Sequence, residues 1–168
     1  MLKEEAIAAE IPRLRRYARA LVGNISEADD LVQDALERAL GRIGLWTEGD
    51  NPRRWLFTIM HNIHIDKIRE RARRPVHTEL NETLADPLAP TGAGVTNHEI
   101  EAALRQLPDD QRQVVLLVGM EGLSYKETAG ILNVPIGTVM SRLARGREKL
   151  RDLVGSDTGR SPVIRRIK

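Results

Sequence analysis

Between Pro75 and Asn97 the apolar periodicity that runs through the rest of the chain stops, and this break divides 168 residues into two blocks. Pro75, Pro87, Pro90, Gly92 and Gly94 punctuate a polar stretch of about 23 residues, too long for an ordinary loop inside one small domain. It reads as a flexible linker, reaching at most ~75 Å when fully extended and spanning roughly 26 Å as a coil. Two small units, free to move independently and each with its own core, are therefore expected: 1–74, a linker at 75–97, 98–154, and a basic tail at 155–168.

Both units read as helical. In the first, Ile11, Leu14, Tyr17, Ala18 and Leu21 recur at three- and four-residue steps, which predicts an amphipathic helix starting near Pro12. Ser26 with Asp29 suggests a capping box for a second helix, whose apolar stripe runs from Ala28 through Leu31, Val32, Ala35, Leu36, Ala39 and Leu40 to Ile43. Asn51 and Pro52 make a cap-then-proline start for a third helix, lined by Trp55, Leu56, Ile59, Met60 and Ile63 and ending before Pro75. In the second unit, Ile100 to Leu107 and Val114 to Val118 carry helical stripes. Ser124 with Glu127 forms another box before a short helix, Asn133-Val134-Pro135 breaks it, and a basic helix restarts with Val139, Leu143, Leu150 and Leu153 inward. Two short helices joined by so tight a turn form a helix-turn-helix pattern. No strand-like alternation appears, so the fold class is all-α.

Charge sharpens the functional reading. The net charge of +2 says little, but its distribution is uneven. Residues 69–74 read R-E-R-A-R-R, residues 142–151 carry five cations against Glu148, and no Lys or Arg lies between Pro75 and His98. Two basic stripes on either side of a neutral-to-acidic connector suit two phosphate-facing surfaces. With Val139 and Leu143 inward, Thr138, Ser141, Arg142 and Arg145 are expected to face out near the start of the basic helix, where side chains reach base edges. Arg147, Lys149 and Arg151 would supply sequence-blind attraction to phosphates. Charged helix faces merely solvated by water are the bland alternative.

Other chemistries fare poorly. There is no cysteine, which excludes disulfides and thiolate metal sites. His61, His64 and Asp66 share a helix but lack a third histidine nearby, which falls short of a zinc or iron site. No Gly-rich phosphate loop, Ser-His-Asp set or paired-carboxylate motif is present, so neither an enzyme nor a cofactor is expected. No signal peptide and no apolar run near the ~20 residues of a membrane span is found, and the chain is expected to be cytoplasmic, without membrane insertion.

The run G-L-S-Y-K-E-T-A-G-I-L-N-V-P-I-G-T-V-M-S-R-L-A-R-G-R-E-K-L at 122–150, preceded by L-P-D-D-Q-R-Q-V-V at 107–115, resembles the promoter-binding C-terminal region of extracytoplasmic-function sigma factors. A-D-D-L-V-Q-D-A-L-E-R-A-L at 28–40 and W-L-F-T-I-M-H-N-I-H-I-D-K-I-R at 55–69 resemble the same family's N-terminal domain. The resemblance implies a protein that recruits RNA polymerase core to promoter DNA under the control of an anti-sigma factor. It implies that Asp30, Gln33, Asp34 and Glu37 dock on the polymerase. It also implies that the loop with Asp50 and Asn51, together with Asn62, Asp66 and Arg69 on the third helix, captures an unpaired base of the minus-ten element, an Asn amide being able both to donate and to accept. Arg73 and Arg74 extend that basic surface, and Thr138, Ser141, Arg142, Arg145, Arg147 and Lys149 would meet the minus-thirty-five element.

Met140 departs from relatives that carry Lys or Arg at its position, so their sequence preference does not transfer. Trp46 is the only loop aromatic available for stacking on a base. A sigma-like decoy that occupies an anti-sigma protein and an ordinary helix-turn-helix regulator are the competing readings.

Overall fold

A computed structural model of the chain describes residues 2–74 and 97–158, with side chains as far as 155. The connector and the tail expected at 155–168 lie wholly or mostly outside those residues. The described residues form seven α-helices and no strand: α1 Lys3–Val22, α2 Ile25–Gly41, α3 Pro52–Arg73, α4 Asn97–Gln106, α5 Asp109–Val115, α6 Tyr125–Leu132 and α7 Ile136–Thr158. A 3₁₀ turn, Ile43–Leu45, follows α2, and a π turn, Leu116–Met120, continues α5. The all-α class read from the sequence holds.

Two helix starts differ from expectation. α1 begins nine residues before Pro12, which sits inside it and removes one backbone hydrogen bond there. Tertiary contact holds the early turns: Ile7 is buried beside the core, and Lys3 Nζ donates to the Ile43 and Trp46 carbonyls at 3.3 and 2.7 Å. α2 is capped by Asn24, whose side chain accepts from Glu27 N at 3.1 Å, and not by Ser26. The cap moved because Gly23, in the left-handed region at φ 71°, ends α1 so abruptly that Asn24 is already in position to start the next helix.

Other local signals behave as read. Asn51 Oδ1 accepts from Arg53 N at 3.0 Å ahead of Pro52. Ser124 Oγ accepts from Glu127 N at 3.0 Å while Ser124 N donates to the Glu127 carboxylate at 3.3 Å. Asn133, at φ 54°, ends α6 in the left-handed region that asparagine tolerates. Thr138 N then donates to Pro135 O at 3.0 Å, starting α7 within a three-residue turn.

The cores of the two units are continuous. Leu14, Tyr17, Leu21, Leu31, Phe57 and Met60 from the first and Leu104, Val114, Leu117, Ile131, Val139 and Leu143 from the second belong to one buried cluster. α1 packs on α4, α5 and the π turn, and α3 packs on α6. Independent cores were expected from the sequence, and this shared one has no counterpart in its periodicity.

Within the second unit α5 and α7 approach closely at Gly146. A Cβ there would lie 2.7 Å from Val115 Cγ2 and 3.5 Å from the Gln111 backbone carbonyl. Alanine at 146 should therefore lower stability by about 1 to 2 kcal/mol in urea unfolding, overpacking outweighing the ~1 kcal/mol that alanine gains in helix propensity. A more stable variant would mean that the two helices separate freely.

Candidate nucleic-acid interface and docking face

Asn62, Asp66, Arg69 and Arg73 recur along α3 at steps of three and four, and all are exposed. Since such spacing stacks side chains on one face, they form a single polar stripe on the side of α3 away from Leu56, Met60 and Ile63. Arg74, just past the helix, is exposed and pairs with Glu70. Asp50 and Asn51 are exposed in the loop that leads into α3, held by an Asp50 N to Thr47 O bond of 3.0 Å.

Trp46 is not available for stacking on a base. It is 7% exposed, its ring stacks on Trp55 at 6.1 Å, and Lys3 Nζ lies 6.0 Å from the ring centroid. The loop folds back because Lys3 gathers its carbonyls, which buries the aromatic and leaves the polar residues 47–51 outside. Trp46 thus anchors the loop that carries Asp50 and Asn51.

Asp30, Gln33, Asp34 and Glu37 share one stripe on α2. Asp30, Gln33 and Glu37 are exposed, and Gln33 Nε2 donates to Glu37 at 3.4 Å. Asp34 is half-buried and pairs with Lys67 of α3 at 2.9 Å, while Glu27 pairs with Arg71 at 2.9 Å. These two pairs fix α2 against α3 and leave three of the four side chains free to meet a partner.

The start of α7 presents its residues in three strips. Ser141 and Arg145 are exposed along the crest, with Ser141 Oγ donating to Thr138 O at 3.1 Å. On one flank Thr138 and Arg142 are half-buried, and Arg142 Nε lies 3.5 Å from Asp110. On the other flank Ile136 and Met140 are exposed, at 49% and 52%. Farther on, Lys149 and Arg151 are exposed, whereas Arg147 is half-buried with its Nε out of solvent. Ser141, Arg145 and Met140 are therefore the most open of the side chains at the start of α7, and Arg142 is held beside them by Asp110.

His64, weighed from the sequence as a metal ligand, has another partner: its Nε2 lies 2.8 Å from Asp109 Oδ1. Burial alone would raise the Asp109 carboxyl, but the hydrogen bond and charge of His64, with Arg112 and Gln113, outweigh it and hold the group below its ordinary value. A carboxylate only accepts, so the imidazole Nε2–H donates. No cluster of three metal-ligating side chains exists among the described residues.

Burial first, then the neighbouring His64 and Arg142 against an opposing Asp109, push His61 down from 6.5 to about 4. Folded His61 is thus neutral where an unfolded imidazole already binds a proton. Its contribution to stability is complete above pH 6.5 and is lost as pH falls toward 4, by about 1 to 2 kcal/mol once solvent screening is allowed for. Urea midpoints should fall between pH 7 and 4.5, and His61→Gln should flatten that decline. A midpoint unchanged across the window would contradict the shift.

The sequence offered no pattern for Arg13, Arg16, Asp109, Arg112 and Glu121, which join the units. Arg112 donates to four carbonyls, from Leu104, Arg105 and Leu107 and, across the units, from Leu21. Its only trace was the D-D-Q-R run at 109–112.

A family model described as the Sigma2 domain of PhyR matches residues 7–61, and one described as Sigma-70, region 4 matches 97–150. The ECF RNA polymerase sigma factor EcfG of Rhodopseudomonas palustris (strain TIE-1) is 39% identical over 174 residues, covering 99% of this chain and 94% of its own length. SigW, an ECF RNA polymerase sigma factor of Bacillus subtilis (strain 168), is 34% identical over 146 residues, covering 78% and 77%. Among solved structures, the sigma factor RpoE of Bartonella quintana, in complex with the anti-sigma factor NepR, superposes with a TM-score of 0.77 at 29% identity, covering 92% of this chain and 97% of RpoE. The anti-anti-sigma factor PhyR of the same organism, also with NepR, gives 0.60 at 20% identity, and the matched region is 50% of its length.

Proposed function

The chain belongs to the ECF sigma factors of bacterial RNA polymerase, and on that premise we propose that it binds the polymerase core, directs it to promoters and is held in check by an anti-sigma factor. The observation that carries this is the order of the two family regions, matched at 7–61 and 97–150, together with 39% identity to EcfG across 99% of the chain. The family is a regulatory, DNA-recognising one, and we infer that the chain performs no catalysis of its own. We infer a cytoplasmic site of action, because that is where the polymerase meets promoter DNA; among the described residues no helix is long and apolar enough to cross a membrane.

The roles follow the two units. Residues 1–74 are assigned core binding through the α2 stripe of Asp30, Gln33, Asp34 and Glu37. They are also assigned capture of the minus-ten element by Asn62, Asp66, Arg69, Arg73 and Arg74 with Asp50 and Asn51. Residues 98–154 are assigned the minus-thirty-five element, with Thr138, Ser141, Arg142 and Arg145 near the bases and Arg147 and Lys149 toward phosphate. Exposure supports these assignments at all of the named residues except Asp34, Thr138, Arg142 and Arg147, which are half-buried.

A decoy that occupies an anti-sigma protein is the second reading, and the match of 7–61 to a model named for PhyR favours considering it. Sequence identity supports the sigma factor instead, at 39% to EcfG and 29% to RpoE against 20% to PhyR. Mixing the purified chain with polymerase core separates the two. A sigma factor co-elutes with core and melts promoter DNA, and a decoy does neither.

Arg142 and Lys149 should differ in kind. Arg142→Ala removes a guanidinium that can give two parallel donors to one base, so it should cost ~1 to 3 kcal/mol at a limited set of promoter positions. Lys149→Ala should weaken all promoters alike and flatten the salt dependence by about one slope unit. Transcription of promoter variants across a salt series checks both. Uniform loss with Arg142→Ala, together with a changed preference for Lys149→Ala, would reverse the orientation assigned to α7.

A further inference from the structure

The start of α7 carries an apolar pair that the core does not use. Ile136 and Met140 are four residues apart and so share one face of the helix, yet they stand 49% and 52% exposed. The inward stripe of α7 is complete without them, since Val139, Leu143, Leu150 and Val154 are all buried. Gly137 and Ala144, both exposed, lie between the pair and the crest of Ser141 and Arg145. Neither has a side chain larger than a methyl group, so nothing bulky separates the apolar flank from the polar crest.

Position and chemistry together select what such a pair can meet. The region matched at 97–150 is a DNA-recognising one, and in a helix-turn-helix the first turns of the second helix face base edges in the major groove. Ile136 has no polar side-chain atom and Met140 offers only a thioether, a weak acceptor, so neither can donate to a guanine edge or attract a phosphate. The base edges in that groove show polar donors and acceptors with one apolar exception, the methyl group on C5 of thymine. The same group stands on 5-methylcytosine.

We propose that Ile136 and Met140 form a receptor for a pyrimidine C5-methyl group in the upstream promoter block, a role that rests on the assignment of α7 to the minus-thirty-five element. Ile136, branched at Cβ, gives a stiff wall, and Met140, unbranched and flexible, closes over the methyl. Docking takes the methyl and both side chains out of water. The crest and the receptor then read neighbouring positions by different means, hydrogen bonding at Ser141 and Arg145 and apolar contact at Ile136 and Met140.

A random promoter library copied in three forms isolates the methyl group: with thymine, with uracil in its place, and with 5-methylcytosine in place of cytosine. Uracil keeps the pairing edge and the O4 acceptor and lacks only the methyl. Templates bound by polymerase core carrying the full chain are recovered from each library and sequenced. The upstream block should hold a position where thymine is favoured, and uracil should cut that preference by ~3- to 5-fold, the worth of one methyl group taken out of water. Cytosine should gain at that position when it carries the methyl. Ile136→Ala and Met140→Ala, both at exposed positions, should each shrink the difference between thymine and uracil and leave the salt dependence unchanged, because no phosphate contact is lost. Met140→Lys should move the preference there toward guanine, whose edge accepts from an ammonium. An upstream block chosen alike from the thymine and uracil libraries would overturn the proposal, giving the pair to a protein surface and leaving the assignment of α7 intact. A difference that persists in the double alanine variant would overturn it as well, by placing the methyl reader elsewhere. The absence of any upstream block from all three libraries would refute the assignment of α7, and the receptor with it.

Discussion

Arg112→Ala is expected to lower unfolding free energy by about 3 to 5 kcal/mol, the largest single-residue effect on stability that the polar contacts predict. One guanidinium serves four carbonyls: Leu104 at 2.7 Å, Arg105 at 2.9 Å, Leu107 at 2.7 Å and Leu21 at 2.9 Å. Three of these lie at the end of α4 and just after it, and the fourth lies in the last turn of α1, where helices leave carbonyls without partners of their own. Burial lowers the Arg112 pKa, with Asp109 opposing and Arg105 adding to the effect, yet an arginine so far above neutrality stays charged. Truncation therefore removes several charge-assisted bonds and leaves acceptors behind in a place water reaches poorly. Lysine should restore little, because one ammonium with three donors on a flexible stem cannot reproduce a planar fork. Urea unfolding of the alanine and lysine variants measures both. A loss under ~1 kcal/mol for alanine would show that water replaces the guanidinium at these carbonyls.

The second large effect concerns association. Asp30→Lys with Asp34→Lys should weaken binding to polymerase core by ~100-fold or more if the α2 stripe is the docking face proposed above, since reversed charges there both lose attraction and add repulsion. The fold should survive the change. Asp30 is exposed, and Asp34 loses only a partly exposed pair with Lys67, the kind worth at most about 1 kcal/mol. Competition for core against a labelled wild-type chain, with helix content followed in parallel, gives the comparison. Unchanged affinity in a folded double variant would remove the α2 stripe from the docking face.

Much of the local structure could be read from the sequence because it is set by neighbours in the chain. The Asn51-Pro52 start, the Ser124 and Glu127 box, the break at Asn133 and the apolar stripes of α2, α3 and α7 all depend on residues within a turn or two. The polar stripe of Asn62, Asp66 and Arg69 was reached through the family resemblance, whereas the apolar face of α3 opposite it was legible from spacing alone. The errors come from distance. Pro12 signalled a helix start, but a contact from Lys3 to residues 40 and 43 positions along the chain keeps nine earlier residues helical. Trp46 looked like a free loop aromatic because nothing nearby in sequence announces Trp55 as its cover.

The same reason hides the joining contacts. Arg16 and Glu121 are 105 positions apart, and Arg112 and Leu21 are 91. Such pairs leave no periodic mark, and their residue types are those of any solvated helix face. His64 suggested a metal by proximity to His61 and Asp66, while its actual partner lies across the connector at Asp109. Composition and spacing thus gave each unit separately, and the interface between them had to come from the fold.

The central claim is that this chain confers promoter choice on RNA polymerase, and run-off transcription by purified core on a library of random promoter sequences tests it most directly. With the chain present, transcripts should come from templates that share two sequence blocks, the upstream one losing definition at a few positions with Arg142→Ala and the downstream one depending on Asn62. Core that transcribes the same random set with and without the chain, or a chain that binds core yet selects no sequence, would contradict the account.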